Sequence, residues 1–306
     1  MNMARALDNR YLPDAPAPWR TWTLGAVLVA ILCALAGAAV GWASMQGLQL
    51  AGLYPQARWA DVTIAIVLSF GSTIALLGAW VRIFEHKGMT DAGFGANAAR
   101  GMVRGAASGA LFLLVVLGGL GLSGACGVVQ GGSITQPSFA DLAAALLLAL
   151  AFLVQASCEE FIFRGWALPV IASRHGRILG VVGSTVLFTL GHASNIRPSP
   201  ELFLGLVNVF LSGLFLALYA VRGRSLWGPC GWHAAWNWLL SVGFGLNVSG
   251  LEVGTAPVFL GLKLNAGEAW WLSGGSFGPE ASAMTSLVLL AGIAYWIRFD
   301  RPRPPA

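Results

Sequence analysis

The chain has 306 residues, with 18 Lys and Arg against 13 Asp and Glu, a net charge of +5. Hydrophobic residues make up 57% and charged residues only 10%, where a soluble domain carries about 25% charged residues. So few charges cannot cover a water-facing surface, which excludes a soluble enzyme, a disordered tail and a disulfide-stapled secreted fold and leaves an all-α polytopic membrane protein.

About 20 apolar residues cross a bilayer as a helix. Eight stretches meet that requirement: 22–44, 61–84, 105–125, 139–160, 177–195, 202–221, 226–246 and 282–298. They predict a single integral membrane domain over 1–306, with about eight transmembrane helices around a polar intramembrane cavity. The first stretch follows Arg5, Arg10 and Arg20. Its apolar run is too long for a cleaved signal, so it reads as an uncleaved first span. No internal repeat is visible, which argues against an inverted-repeat transporter.

The basic residues form no cluster of the kind that binds nucleic acid, and no nucleic-acid partner is expected. With the N-terminus in the cytoplasm, fifteen of the 18 fall in inside segments; Arg58, Arg197 and Lys263 fall outside. That split follows the positive-inside rule and places both termini in the cytoplasm. Arg164, Arg174 and Arg177 are counted among the inside residues, after the fourth span. The four cysteines, Cys33, Cys126, Cys158 and Cys230, lie far apart without CxxC spacing and read as buried small hydrophobes. The longest outside segment, 247–281, holds Glu252, Lys263, Glu268, Glu280 and a Gly-rich stretch from Gly274. It lacks a phosphate-loop pattern and reads as a re-entrant or capping turn. Trp232, Trp236 and Trp238 read as packing or interface-belt residues.

Ionisable residues inside spans cost about 2.5–3.5 kcal/mol each on insertion scales, so those present need a reason. The fourth span ends in Cys158-Glu159-Glu160-Phe161-Ile162-Phe163-Arg164. Glu160 and Arg164 are four apart, share a helix face and can pair. Glu159 points about 100° away, which leaves one carboxylate for chemistry. The fifth span contains Phe188 and His192, and the seventh contains His233 and Asn237, again four apart. Intramembrane polar groups face the bundle interior, so three spans can gather these six residues. Three chemistries are open to them. A carboxylate can activate water beside a neutral His while a second His and Asn stabilise an oxyanion. Glu159, His192 and His233 can bind Zn²⁺ with one open position. A Glu/His chain can relay protons in a coupled transporter.

The ordered triplet EExxxR, FxxxH and HxxxN on successive apolar spans resembles the CPBP family of intramembrane proteases, which includes type II CAAX prenyl endopeptidases and bacterial Abi-type proteins. All three motifs are intact, and they cover about 140–246. The resemblance implies an all-helical, typically eight-span fold whose catalytic core helices lie at 140–246, and an intramembrane endopeptidase of glutamate- or metal-dependent type. Glu159 would activate water assisted by His192, Glu160 and Arg164 would support the site, and His233 with Asn237 would stabilise the oxyanion. The implied substrate is a membrane-associated peptide or lipidated protein, in the bilayer of a bacterial plasma membrane. No cofactor is assigned with certainty, and Zn is possible. The same fold without turnover would be a membrane scaffold.

One conflict arises within this reading. If the fourth span ends near Glu160, Glu159 lies at the cytoplasmic end, whereas His192 lies late in a fifth span that runs outward. The two would then sit at different depths.

Overall fold

In a computed structural model, residues 19–193, 200–265 and 269–298 are described. Arg5, Arg10, Arg197, Glu268, Arg301 and Arg303 lie outside them. Helices appear at each of the eight expected places: α1 Thr23–Leu50, α2 Arg58–Ile83, α3 Ala98–Leu122, α4 Phe139–Glu160, α6 Arg177–His192, α7 Pro200–Gly223, α8 Trp227–Trp238 and α10 Ala283–Arg298, while α5 Leu168–His175 lies outside those places. Helix α9, Trp270–Ser273, is a single turn before α10. The fold is all-α apart from one antiparallel pair, β1 Cys126–Gly131 with β2 Leu260–Leu264, bulged between Val128 and Gln130. Apolarity alone did not distinguish these short strands from loop.

Five helices are long and apolar enough to cross a membrane by length and composition. Large apolar side chains such as Trp22, Leu28, Leu122 and Leu146 are exposed, and water would not favour that surface. The chain is an integral membrane protein. Helix α1 illustrates the consequence. It buries only small or slender residues, Ala26, Gly37, Gly41 and Met45, and turns its larger ones outward.

The fourth span differs from its expected boundary. Helix α4 begins at a Ser138 capping box with Asp141. It continues without interruption through a π-helical segment, Phe161–Ala167, into α5, so the helical run is Phe139–His175. Pro169 lies inside this continuous run, directly after the π-helical segment, where its missing N–H removes one backbone hydrogen bond. Gly176, at φ 85°, then turns the chain into α6, a backbone angle that favours glycine. Arg164 is therefore buried inside a helix and does not belong to an inside loop.

This boundary removes the conflict over depth. Glu159 lies 17 residues before Gly176 and His192 lies 16 after it. In an antiparallel hairpin those positions are level. Helix α6 is also short. Its 16 residues span about 24 Å, less than the bilayer core of about 30 Å. Helix α10 has the same length. The segment between α8 and α10 folds over the bundle interior at that level, as a re-entrant cap would.

Helix α8 is held by close backbone approach. Gly101, Gly105 and Gly109 on α3 recur every fourth residue and face Trp227, Gly228 and Trp232. A Cβ on Gly105 would stand 2.0 Å from the Gly228 carbonyl oxygen, and one on Gly109 2.5 Å from that of Trp232. Small residues at this spacing let helices pack backbone to backbone in lipid. They fix the rotation of α8 and hence where His233 and Asn237 face.

Candidate active site

The six residues predicted from sequence come from α4, α6, α8 and the π-helical segment. Glu159, Glu160, Arg164, His233 and Asn237 are buried, and His192 is partly buried. The Arg164 guanidinium donates through Nη1 to Glu160 Oε1 at 3.0 Å, and both side chains are 0% exposed. Its Nη2 donates to the Gly213 carbonyl of α7 at 3.0 Å. The Phe188 ring lies 4.3 Å from the guanidinium carbon, a cation–π contact. A buried charge is tolerated only with partners of this kind.

Each histidine is oriented by its Nδ1. His233 Nδ1 lies 3.1 Å from Glu160 Oε1. His192 Nδ1 lies 2.9 Å from the Phe188 carbonyl oxygen. Carboxylate and carbonyl oxygens accept, so in both rings Nδ1 carries a proton, and in the neutral form of each ring Nε2 presents a lone pair. Both Nε2 atoms point at one oxygen. Glu159 Oε2 stands 3.8 Å from His192 Nε2 and 3.7 Å from His233 Nε2. That oxygen makes no hydrogen bond among the described residues, while Glu159 Oε1 accepts from Gln155 Nε2 at 3.3 Å. Three acceptors therefore converge on one point, and the species that satisfies them is a proton donor or a cation.

Zinc tests the second option. The donor types suit it, but ligands bound at 2.0–2.1 Å in a tetrahedron lie only about 3.3–3.4 Å apart. The observed separations are wider, and no group of three or more His, Cys, Asp or Glu among the described residues is arranged to hold a metal ion.

Asn237, one helical turn beyond His233, lines a cavity of about 40 Å³ that also reaches His192, His233 and Gln155. The cavity has room for water but not for a peptide.

Three contributors were not singled out from sequence. Phe188 appeared only as a motif position. Its ring centroid lies 4.4 Å from that of His192 and 6.3 Å from that of His233, so it packs between the motifs. Gly213 would bring a Cβ within 3.1 Å of Phe188 and Thr185, so it makes room for the Phe188–Arg164 stack. Glu280, from the Gly-rich segment, lines the same cavity. Its Oε1 accepts from Trp236 Nε1 at 3.0 Å, and its Oε2 accepts from the Ser249 N–H and hydroxyl. Burial pushes its carboxyl above the usual carboxylate range, against those hydrogen bonds. The available signal was a lone carboxylate between a Gly-rich turn and an apolar span.

Residues 141–239 match the family described as Rce1-like: Type II CAAX prenyl endopeptidase Rce1-like. Over these residues, about a third of the chain, it is similar to that family. The matched segment contains all three motifs and supports the resemblance to the CPBP intramembrane proteases. It ends before Glu280. Neither a curated protein nor a solved structure matches the chain. The Rce1-like family is a protease family, and the matched residues lie among helices long and apolar enough to cross a membrane.

Proposed function

We propose that the chain is an intramembrane endopeptidase that hydrolyses a peptide bond of a membrane-associated peptide or lipidated protein with an activated water. The convergence of Glu159 Oε2 with the two histidine Nε2 atoms carries this reading. A water there donates to Glu159 and is oriented by His192. Glu159 takes one of its protons as the water oxygen attacks the scissile carbonyl carbon.

The developing oxyanion needs donors. Asn237 offers its amide N–H groups from the cavity wall. His233 donates in the form whose Nε2 already carries a proton taken from solvent before the attack and kept through the cycle, an imidazolium stabilised by the Glu160 carboxylate on Nδ1. Arg164 holds Glu160 in place without touching the reacting atoms. Collapse of the tetrahedral species breaks the C–N bond and requires a proton on the leaving nitrogen. We place the site in a bacterial plasma membrane with both chain termini cytoplasmic.

Purified protein in detergent, assayed on quenched-fluorescent peptides with and without lipid groups, tests this. Cleavage that persists after chelation is expected. Loss on chelation with recovery on added Zn²⁺ would replace the carboxylate mechanism with a metal one. Pull-down of a membrane partner without cleavage of any peptide would favour a scaffold.

A further inference from the structure

We propose that Glu280 is a second proton-transfer residue of this hydrolysis, protonating the leaving amine from the cavity wall formed by the Gly-rich cap. This rests on the hydrolase reading above and extends it.

Of the three carboxylates around the site, Glu159 and Glu160 are buried and Glu280 is partly buried, and they have different partners. Glu160 is committed to Arg164 and His233. Glu159 faces both histidines. Glu280 has no Lys or Arg partner among the described residues; its oxygens meet only Trp236 and Ser249. Each oxygen accepts one N–H, which leaves capacity for a proton directed into the cavity. Burial raises this carboxyl, which favours the protonated form that a general acid needs.

The cap is built to present this group. Asn208 on α7 donates through Nδ2 to the backbone carbonyls of Glu280 and Ser282, each at 2.8 Å, and its Oδ1 accepts from Ser286 at 2.6 Å. Gly278 has φ 101°, and a Cβ there would lie 2.6 Å from the Asn247 carbonyl oxygen. Only glycine suits that position. A loop whose role was only to cover the cavity would not need a carboxylate there, where burial opposes its charge.

The step balances. Water adds its oxygen to the carbonyl carbon and gives a proton to Glu159, and the carbonyl π pair moves to oxygen. That pair then re-forms the carbonyl, and the C–N bonding pair leaves on nitrogen. The nitrogen takes the Glu280 proton. Acid and amine products depart, and the proton on Glu159 returns through cavity water to the Glu280 carboxylate.

The test compares a peptide cut by wild type with its ester isostere, in which oxygen replaces the scissile N–H. An alkoxide leaving group needs far less help from an acid. Glu280→Gln keeps the shape and an acceptor for Trp236. It is expected to lower kcat for the amide about 100-fold with KM unchanged, while ester cleavage stays within about threefold. Glu280→Asp, still an acid, is expected to recover part of the amide activity. Glu159→Gln is expected to lose both substrates. Glu280→Gln that cuts the amide like wild type, loses amide and ester equally, or fails to fold with no recovery by Asp would overturn the assignment while leaving the Glu159 mechanism standing. A wild type that cuts neither isostere, or a Glu159→Gln variant that cuts both, would overturn the hydrolase reading itself and this assignment with it.

Discussion

Arg164 shows how one side chain fixes several others. Its guanidinium meets Glu160, the Gly213 carbonyl and the Phe188 ring, and Glu160 in turn fixes the His233 ring. Truncation leaves Glu160 buried without its cation. Arg164→Ala is expected to cost about 3–5 kcal/mol, read as a lower thermal unfolding midpoint in detergent. Arg164→Lys keeps the charge but loses the fork that spans Glu160 and Gly213, and it should fall between the two. An Arg164→Ala midpoint equal to wild type would refute this role. The pair was legible in sequence because i and i+4 share a helix face. The Phe188 ring was not, because a Phe in an apolar span carries no signal of its own until the neighbouring helices are placed.

Among the elements, the pairing of α3 with α8 does most to orient the site. Gly105→Val is expected to destabilise the protein by 1–3 kcal/mol or more and to lower activity, because its side chain would meet the Gly228 backbone. Gly118→Ala on the same helix meets nothing within 4 Å and should be neutral or slightly stabilising. Equal melting behaviour of the two variants would contradict the close-packing argument. The eight helices were legible in sequence as apolar runs. The end of the fourth was not. Glu159, Glu160 and Arg164 suggest a membrane boundary by polarity, yet mutual pairing lets them stay inside a helix that runs on to His175. The π-helical turn after Glu160 is likewise invisible to hydropathy; such turns often occur at functional sites.

For the whole molecule, the short helices α6 and α10 and the segment between α8 and α10 create a polar level inside an apolar bundle. The cavity at that level, about 40 Å³, holds water-sized guests. The charge pattern sets the orientation of this assembly. A GFP fusion at the C-terminus is expected to fluoresce, and an alkaline phosphatase fusion there to be inactive. The opposite pair of results would invert the topology. Sequence placed the three motifs on neighbouring spans, but Glu280 lies far along the chain, in a segment whose composition suggests only a turn. Its proximity to His192 and His233 arises from tertiary folding.

The most direct measurement is turnover of a cleaved peptide by Glu159→Gln beside wild type, with matched folding checked by thermal unfolding. In the proposed mechanism the carboxylate takes the proton from water, so its amide should lower kcat by about 10²–10⁴-fold while the protein stays folded. Wild-type turnover by a folded Glu159→Gln variant would contradict the mechanism at its centre.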